Sequence, residues 1–210
     1  MSKFRLVCEH YMGYGMHIKV FDPNHGSDTS STAWKEQDVG SIVEAGVSQL
    51  HELGRAAGCW YFCDVYRSNI LVVLDGRTGE FSTSMLPASE SWEIGASCDF
   101  CVTEGRDSKP RVCSVVDGTM KVFVMRDNME CALEKTLLLG ETIPGLMCTW
   151  LYRPVRILTR GPGFIILLLQ AFGKWIFSVD LETMEVAPGV DYMRSMVYPF
   201  ELPWPQRLRR

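Results

Sequence analysis

The chain is most legible between Cys98 and Leu139, where apolar runs and polar breaks mark four short strands in succession. Cys98–Thr103 is apolar and β-prone, Glu104–Pro110 is a charged, turn-rich break, and Arg111–Val116 (RVCSVV) is a second strand. Asp117-Gly118 separates it from Thr119–Met125 (TMKVFVM), and Arg126-Asp127-Asn128 interrupts the run before Cys131–Leu139 (CALEKTLLL). An Asp-Gly pair between apolar runs is a strong hairpin signal, since both central residues of a type I′ turn need positive φ. Four antiparallel strands joined by tight turns make a meander. Such a sheet needs neighbours over both faces, as in one blade of a propeller or one quarter of another all-β domain.

A repeat supports the blade. Val72–Phe81 (VVLDGRTGEF) and Phe177–Val186 (FSVDLETMEV) share an apolar strand, then Asp, two residues, Thr, one residue, Glu and an apolar residue. Phe123–Cys131 (FVMRDNMEC) keeps the strand and the Glu but carries Met125 and Asn128 in place of Asp and Thr. Aligned on Glu80, Glu130 and Glu185, the units lie 50 and 55 residues apart, and a fainter copy at Ile18–Asp22 precedes Asp75 by 53. The signature describes a hairpin: the Asp carboxylate accepts from backbone N–H groups of the turn, and Thr does so more weakly. A period near 50 residues with several strands in each is that of propeller blades and close to the kelch length.

In order, Phe4–His10 and Met16–Asp22 pair around Met12–Gly15, Pro23–Thr32 is a polar loop, and Ala33–Gln37 closes a first unit. Asp38–Leu53 is ambiguous. Val43, Val47, Leu50 and Leu53 fall at helical spacing, while Gly40, Gly46 and Gly54 favour broken loop and strand. A second unit comprises Gly58–Val65, Ile70–Asp75 and Glu80–Leu86, and Pro87–Trp92 links it to the central one. The last contains Val155–Thr159, Phe164–Ala171, Trp175–Leu181 and Met184–Ala187. The expected architecture is an all-β, propeller-like repeat of four-stranded antiparallel meanders, with about four blades in a ring that need not be complete. Residues 1–190 form this domain, and 191–210, with Tyr192, Tyr198, Phe200 and Trp204 among three prolines, form an irregular tail.

Composition narrows the function. At 210 residues and 47% hydrophobic, the chain can bury a sizeable core. A net charge of -4 argues against a nucleic-acid partner, and the basic Arg207–Arg210 reads as a solvated tail. The start, MSKFRLVCEH, lacks an apolar export segment, and the most apolar run, Phe164–Leu169, is far below the ~20 residues that span a bilayer. The expectation is a cytoplasmic or nuclear protein with reduced thiols and no membrane partner.

Candidate chemistry is sparse. Cys98 and Cys101 form a CxxC and Cys59 and Cys63 a CxxxC, but the residues between them are apolar strand formers, not zinc-knuckle residues. In a strand Cys98 and Cys101 point to opposite faces. No helix follows to activate a redox thiol. His10, His17, His25 and His51 match no ligand spacing, and no GxSxG elbow occurs. The sequence therefore names no catalytic, cofactor or metal residue. Among the aromatics, Trp60 and Trp175 lie in strands and are expected in packing. Trp92, Trp150 and Tyr152 sit in connections between units and are the candidate partner-binding residues.

Several stretches resemble the C-terminal region of the large plant F-box protein families, those of grasses in particular. They are Gly54–Tyr61 (GRAAGCWY) leading into Ile70–Asp75, Phe81–Pro87 (FSTSMLP), Arg111–Val124 with its VDGTMKVF core, and Ser178–Val186 (SVDLETMEV). The resemblance covers roughly Phe4 to Val190. It implies a non-catalytic, β-rich module that recruits a protein substrate to a cullin-type ubiquitin ligase, in which an F-box docks a Skp1-like adaptor. Residues 1–50 lack the Leu-Pro-rich helical stretch of an F-box, so adaptor docking is not expected of this chain. Two alternatives stay open: a small-molecule-binding or hydrolytic propeller enzyme, with carboxylates or histidines converging at the ring centre, and a non-functional truncated fragment.

Overall fold

The computed structural model describes residues 6–12, 15–21, 34–37, 50–64, 67–88, 90, 92, 98–126, 130–142, 155–170 and 174–189. The first strands, β1 (Leu6–Met12), β2 (Gly15–Phe21) and β3 (Trp34–Gln37), form a three-stranded antiparallel sheet in chain order. Three four-stranded antiparallel meanders follow. The first comprises β4 (Leu50–Ala56), β5 (Cys59–Asp64), β6 (Arg67–Asp75) and β7 (Phe81–Met85). The middle one comprises β8 (Cys98–Glu104), β9 (Pro110–Val116), β10 (Thr119–Met125) and β11 (Cys131–Leu138), followed by a single helical turn, Leu139–Thr142. The last comprises β12 (Val155–Gly161), β13 (Phe164–Gln170), β14 (Lys174–Asp180) and β15 (Val186–Pro188).

The chain is thus all-β, and the central stretch forms the four strands its pattern predicts. The opening of the second unit differs from expectation. That unit begins at Leu50, not Gly58, and Leu50–Leu53 is strand, not helix. The helix-like spacing has a local cause. Both faces of β4 are covered: Leu53 joins the core shared with the middle meander and Leu50 points to the opposite face, each 1% exposed, and the register against β5 shifts only after Glu52. Residues 38–49, with Val43 and Val47, lie outside the described residues, as does the tail at 190–210.

Successive meanders meet along their first strands. A parallel contact of β4 with β8, at Gly54 opposite Val102, joins the first two meanders into an eight-stranded sheet of order β11-β10-β9-β8-β4-β5-β6-β7. Strand β12 packs beside β8 in turn. Each strand of the middle meander then sends alternate residues to two neighbours. Phe100, Val102, Val112, Phe123 and Met125 face the first meander's Leu53, Tyr61, Cys63, Leu71 and Val73. Cys101, Cys113, Val115, Met120 and Val122 face Ile165, Leu167, Leu169, Phe177 and Val179 of the last. Burying a large apolar side chain contributes about 1.5–3 kcal/mol, so neither face is stable uncovered. The first meander also buries Leu50, Phe62, Val72 and Leu74, which belong to neither cluster.

Turn chemistry explains the repeat. Asp75 Oδ1 accepts from Arg77 N (2.6 Å) and Thr78 N (3.0 Å), and Thr78 Oγ1 accepts from Glu80 N (3.2 Å). Asp180 Oδ1 does the same for Glu182 N (2.8 Å) and Thr183 N (3.0 Å), and Thr183 Oγ1 for Glu185 N (3.2 Å). Both turns join the third strand of a meander to its fourth. In the middle meander Arg126 N bonds Glu130 O, where Asp75 N bonds Glu80 O, so its turn is one residue shorter. The Asp117-Gly118 hairpin adopts the expected positive φ at both residues, 48° and 75°.

Asp75→Ala removes the acceptor of two backbone N–H groups and is expected to cost about 1–2 kcal/mol. Asp180→Ala, which loses the matching two bonds of its own turn, is expected to cost a similar amount. Urea midpoints of the two variants, compared with the wild type, check the size.

Candidate functional site

The first strands of the three meanders carry the polar residues nearest the junction. Side chains from β8 replace main-chain pairing with β12. Asp99 Oδ2 accepts from Ile157 N at 2.8 Å, and Thr103 Oγ1 donates to Gly161 O at 2.8 Å. On the other side Glu104 Oε2 accepts from Ala57 N at 2.8 Å. Both β8–β12 ties join residues 58 apart, which puts Val102 level with Arg160, while Gly54 pairs with Val102. Gly54, Val102 and Arg160 therefore occupy one level of the three strands. Gly54 has φ 139°, and a methyl group there would overlap both the Val102 carbonyl oxygen and the Arg160 guanidinium. Only glycine permits that approach.

Beside this notch Glu52 Oε1 lies 3.9 Å from Arg160 Nη2 and 3.9 Å from Arg55 Nε, and the Arg55 guanidinium sits 5.0 Å over the Trp60 ring. Deeper along the strands, burial pushes the Asp99 carboxyl up from its ordinary range, opposed by the Ile157 N–H and by the charges of Arg156 and His51. Its folded pKa thus lies above the unfolded one. Ionised Asp99 weakens the fold, and its contribution improves as the pH falls through that range.

A second polar cluster ties the middle meander to the last. Arg111, only 3% exposed, donates to Glu134 through Nε (2.9 Å) and Nη2 (3.3 Å) and to Asp107, with Glu182 3.6 Å away. Burial alone would lower the Arg111 pKa, but the bonds to Glu134 and Asp107 outweigh it and raise it. Lys135 Nζ donates to Leu181 O and Glu182 O, both at 2.8 Å. The bonds from Arg111, and from the backbone at Thr183 and Glu182, hold Asp107 and Asp180 respectively below the usual carboxylate range. Their stabilisation is full above that range and is lost as the pH falls through the depressed values, opposite in sign to Asp99.

Trp92, expected on a partner-binding loop, is instead in the core. It is 3% exposed, donates from Nε1 to Pro87 O at 2.8 Å, and packs on Phe100 and Phe123 with ring centroids 5.4 Å away in each case. The T-shaped contact with Phe100 and the tilted one with Phe123 let it plug the first-to-middle junction. Trp150 and Tyr152 lie outside the described residues. Trp60 is half-buried in its strand.

The thiols behave as small apolar groups. Cys101 and Cys113 are buried opposite each other on β8 and β9, and their mutual hydrogen bond and burial push Cys113 well up. Cys63 is pushed up to about 12 by burial and the Asp64 charge, and burial raises Cys59 and Cys131. Held protonated by burial, these thiols are poor nucleophiles. Among the described residues no three His, Cys, Asp or Glu side chains are placed to hold a metal ion, and no helix is long and apolar enough to cross a membrane.

The sequence did not single out Arg160, Glu52, Asp99 or Arg111. The available signal was a charge interrupting an apolar strand, as Asp99 does between Cys98 and Phe100.

Two substitutions separate roles. Asp99→Asn keeps an acceptor for Ile157 N and removes a buried charge, so it is expected to be neutral or stabilising at pH 7. Asp99→Ala is expected to cost about 1–3 kcal/mol by orphaning that N–H. Trp92→Ala is expected to destabilise by about 3–5 kcal/mol, the signature of a core residue. Denaturant titrations of the three variants read these outcomes.

No protein-family model matches the chain, and no curated protein matches it. Among solved structures, the chain is similar to the N-terminal domain of Nup159, at 13% identity and a TM-score of 0.41. It is also similar to a chain of an S. cerevisiae complex of Dbp5 bound to Nup159, Gle1, IP6 and ADP, at 13% identity and 0.40. Each match covers 87% of this chain and 46% of the other, so the chain spans less than half the length of these structures.

Proposed function

We propose that the chain is a protein-binding module on a propeller-like frame, with no catalytic step of its own. The observation that carries this is the use made of the junction's polar side chains. Asp99 holds Ile157 N, Thr103 holds Gly161 O and Glu104 holds Ala57 N, so these groups serve as ties between meanders. An enzyme at this junction would need such groups free to exchange protons with a substrate. The parallel contact of β4 with β8, and the packing of β12 beside β8, favour blades arranged around a common axis.

Turns joining first to second and third to fourth strands gather at one end of this frame. Gly76 N bonds Gly58 O (3.0 Å), Gly163 N bonds Glu104 O (2.7 Å), and Leu181 N bonds Gly163 O (2.8 Å). Binding residues commonly sit on turns held this way by a rigid scaffold. The finer reading is a substrate-recruiting region related to F-box subunits of ubiquitin ligases, acting in the cytoplasm or nucleus. It rests on the resemblance of Gly54–Tyr61, Phe81–Pro87, Arg111–Val124 and Ser178–Val186 to that family.

Affinity purification of the tagged chain from plant cells, with mass spectrometry of the bound proteins, tests both levels. A recurring partner without a cullin or a Skp1-like adaptor is the expected result. Stoichiometric adaptor and cullin would place this chain inside an assembled ligase. Absence of any recurring partner would overturn the protein-binding reading.

A further inference from the structure

The triad Arg55–Glu52–Arg160 is a charged cluster at the junction that ties no backbone group in place. Its two guanidiniums share one carboxylate, which leaves one positive charge in excess. Each lies 3.9 Å from Glu52, beyond hydrogen-bonding distance, and neither donates a hydrogen bond among the described residues. Arg160 is 32% exposed, and none of its nitrogens is among the buried unpaired atoms, so its unused donors remain open to an incoming group. The other charges at this end are committed elsewhere. Glu104 accepts from Ala57 N, and Asp180 holds Arg106 and the turn amides.

The arrangement is also built. Gly54, fixed by its pairing with Val102, leaves the gap that the Arg160 guanidinium fills, and Trp60 carries the Arg55 guanidinium on its face. A planar fork held by its surroundings loses little freedom when it binds a carboxylate through two parallel bonds. Glu52 then acts as a loosely held internal occupant that a better-placed carboxylate displaces.

We propose that the Gly54 notch, with Arg160 and Arg55, is a recognition site for a carboxylate side chain in an acidic segment of a protein partner. This rests on the protein-binding reading and adds to it the chemistry of what is bound.

The probe is a fluorescein-labelled hexaglutamate peptide titrated with the full chain at low salt and followed by fluorescence anisotropy. Saturable binding is expected, weakened roughly tenfold by Arg160→Gln and by a smaller factor by Arg55→Gln. Glu52→Gln is expected to tighten binding, because it removes the competing carboxylate, whereas a purely structural ion pair would not produce a gain. Arg77→Gln, in the exposed turn after β6, is expected to change nothing. Hexaglutamate that does not saturate, equal affinity of wild type and Arg160→Gln, or weaker binding by Glu52→Gln would each overturn the proposal. So would binding of a phosphoserine peptide alone, which would assign the site to phosphoryl groups. A natural partner retained equally by Arg160→Gln would remove this site while leaving the protein-binding reading intact.

Discussion

The middle meander has two apolar faces, and the rest of the structure answers that constraint. A four-stranded sheet with Phe100, Val102, Val112 and Phe123 on one side and Cys101, Cys113, Val115 and Val122 on the other cannot stand in water. It is stable only between two other sheets. The inner strands β9 and β10 accordingly read as mostly apolar runs, as expected where both faces are buried. The edge strand β11 instead carries Glu134, Lys135 and Thr136 in mid-strand and is largely exposed. Trp92 follows from the same demand: it comes from the connection before β8 to plug the first junction.

Where the first strands meet, main-chain pairing is limited and side chains take over. The contact of β4 with β8 is a single parallel bridge at Gly54, and β8 reaches β12 through Asp99 and Thr103. A junction made this way fixes spacing and register while leaving some first-strand side chains unused. Asp99, Thr103 and Glu104 are consumed by it, and Arg160, Glu52 and Arg55 are not. The two polar clusters thus differ in kind. Arg111 is buried, bonds to Glu134 and Asp107 and cements one interface, whereas Arg160 is partly exposed and pairs only loosely with Glu52.

Much of the fold was legible because it is encoded locally. Asp117-Gly118 specifies its own hairpin, and the Asp-x-x-Thr-x-Glu signature writes its hydrogen bonds into two turns. The start of β4 was not legible, because both of its faces are covered, so Leu50 and Leu53 are buried on opposite sides and their spacing imitates a helix. Trp92 is hidden for a related reason. A connection between units looks exposed in sequence, and nothing local reveals that its indole bridges Phe100 and Phe123. The site residues were hidden further still. Gly54, Val102 and Arg160 are 48 and 58 residues apart, and only the side-by-side packing of three meanders puts them at one level.

Hydrogen exchange read by mass spectrometry tests the central claim, that the middle meander is the inner layer of a stack, most directly. The account predicts that amides of β9 and β10 exchange most slowly, through global unfolding alone, while the outer strands β7 and β15 exchange faster by local opening. It also predicts that a variant lacking the Asp99 tie selectively loosens residues 155–161. Exchange of β9 and β10 as fast as that of β7 and β15 would contradict the stack and, with it, the junction on which the proposed site is built.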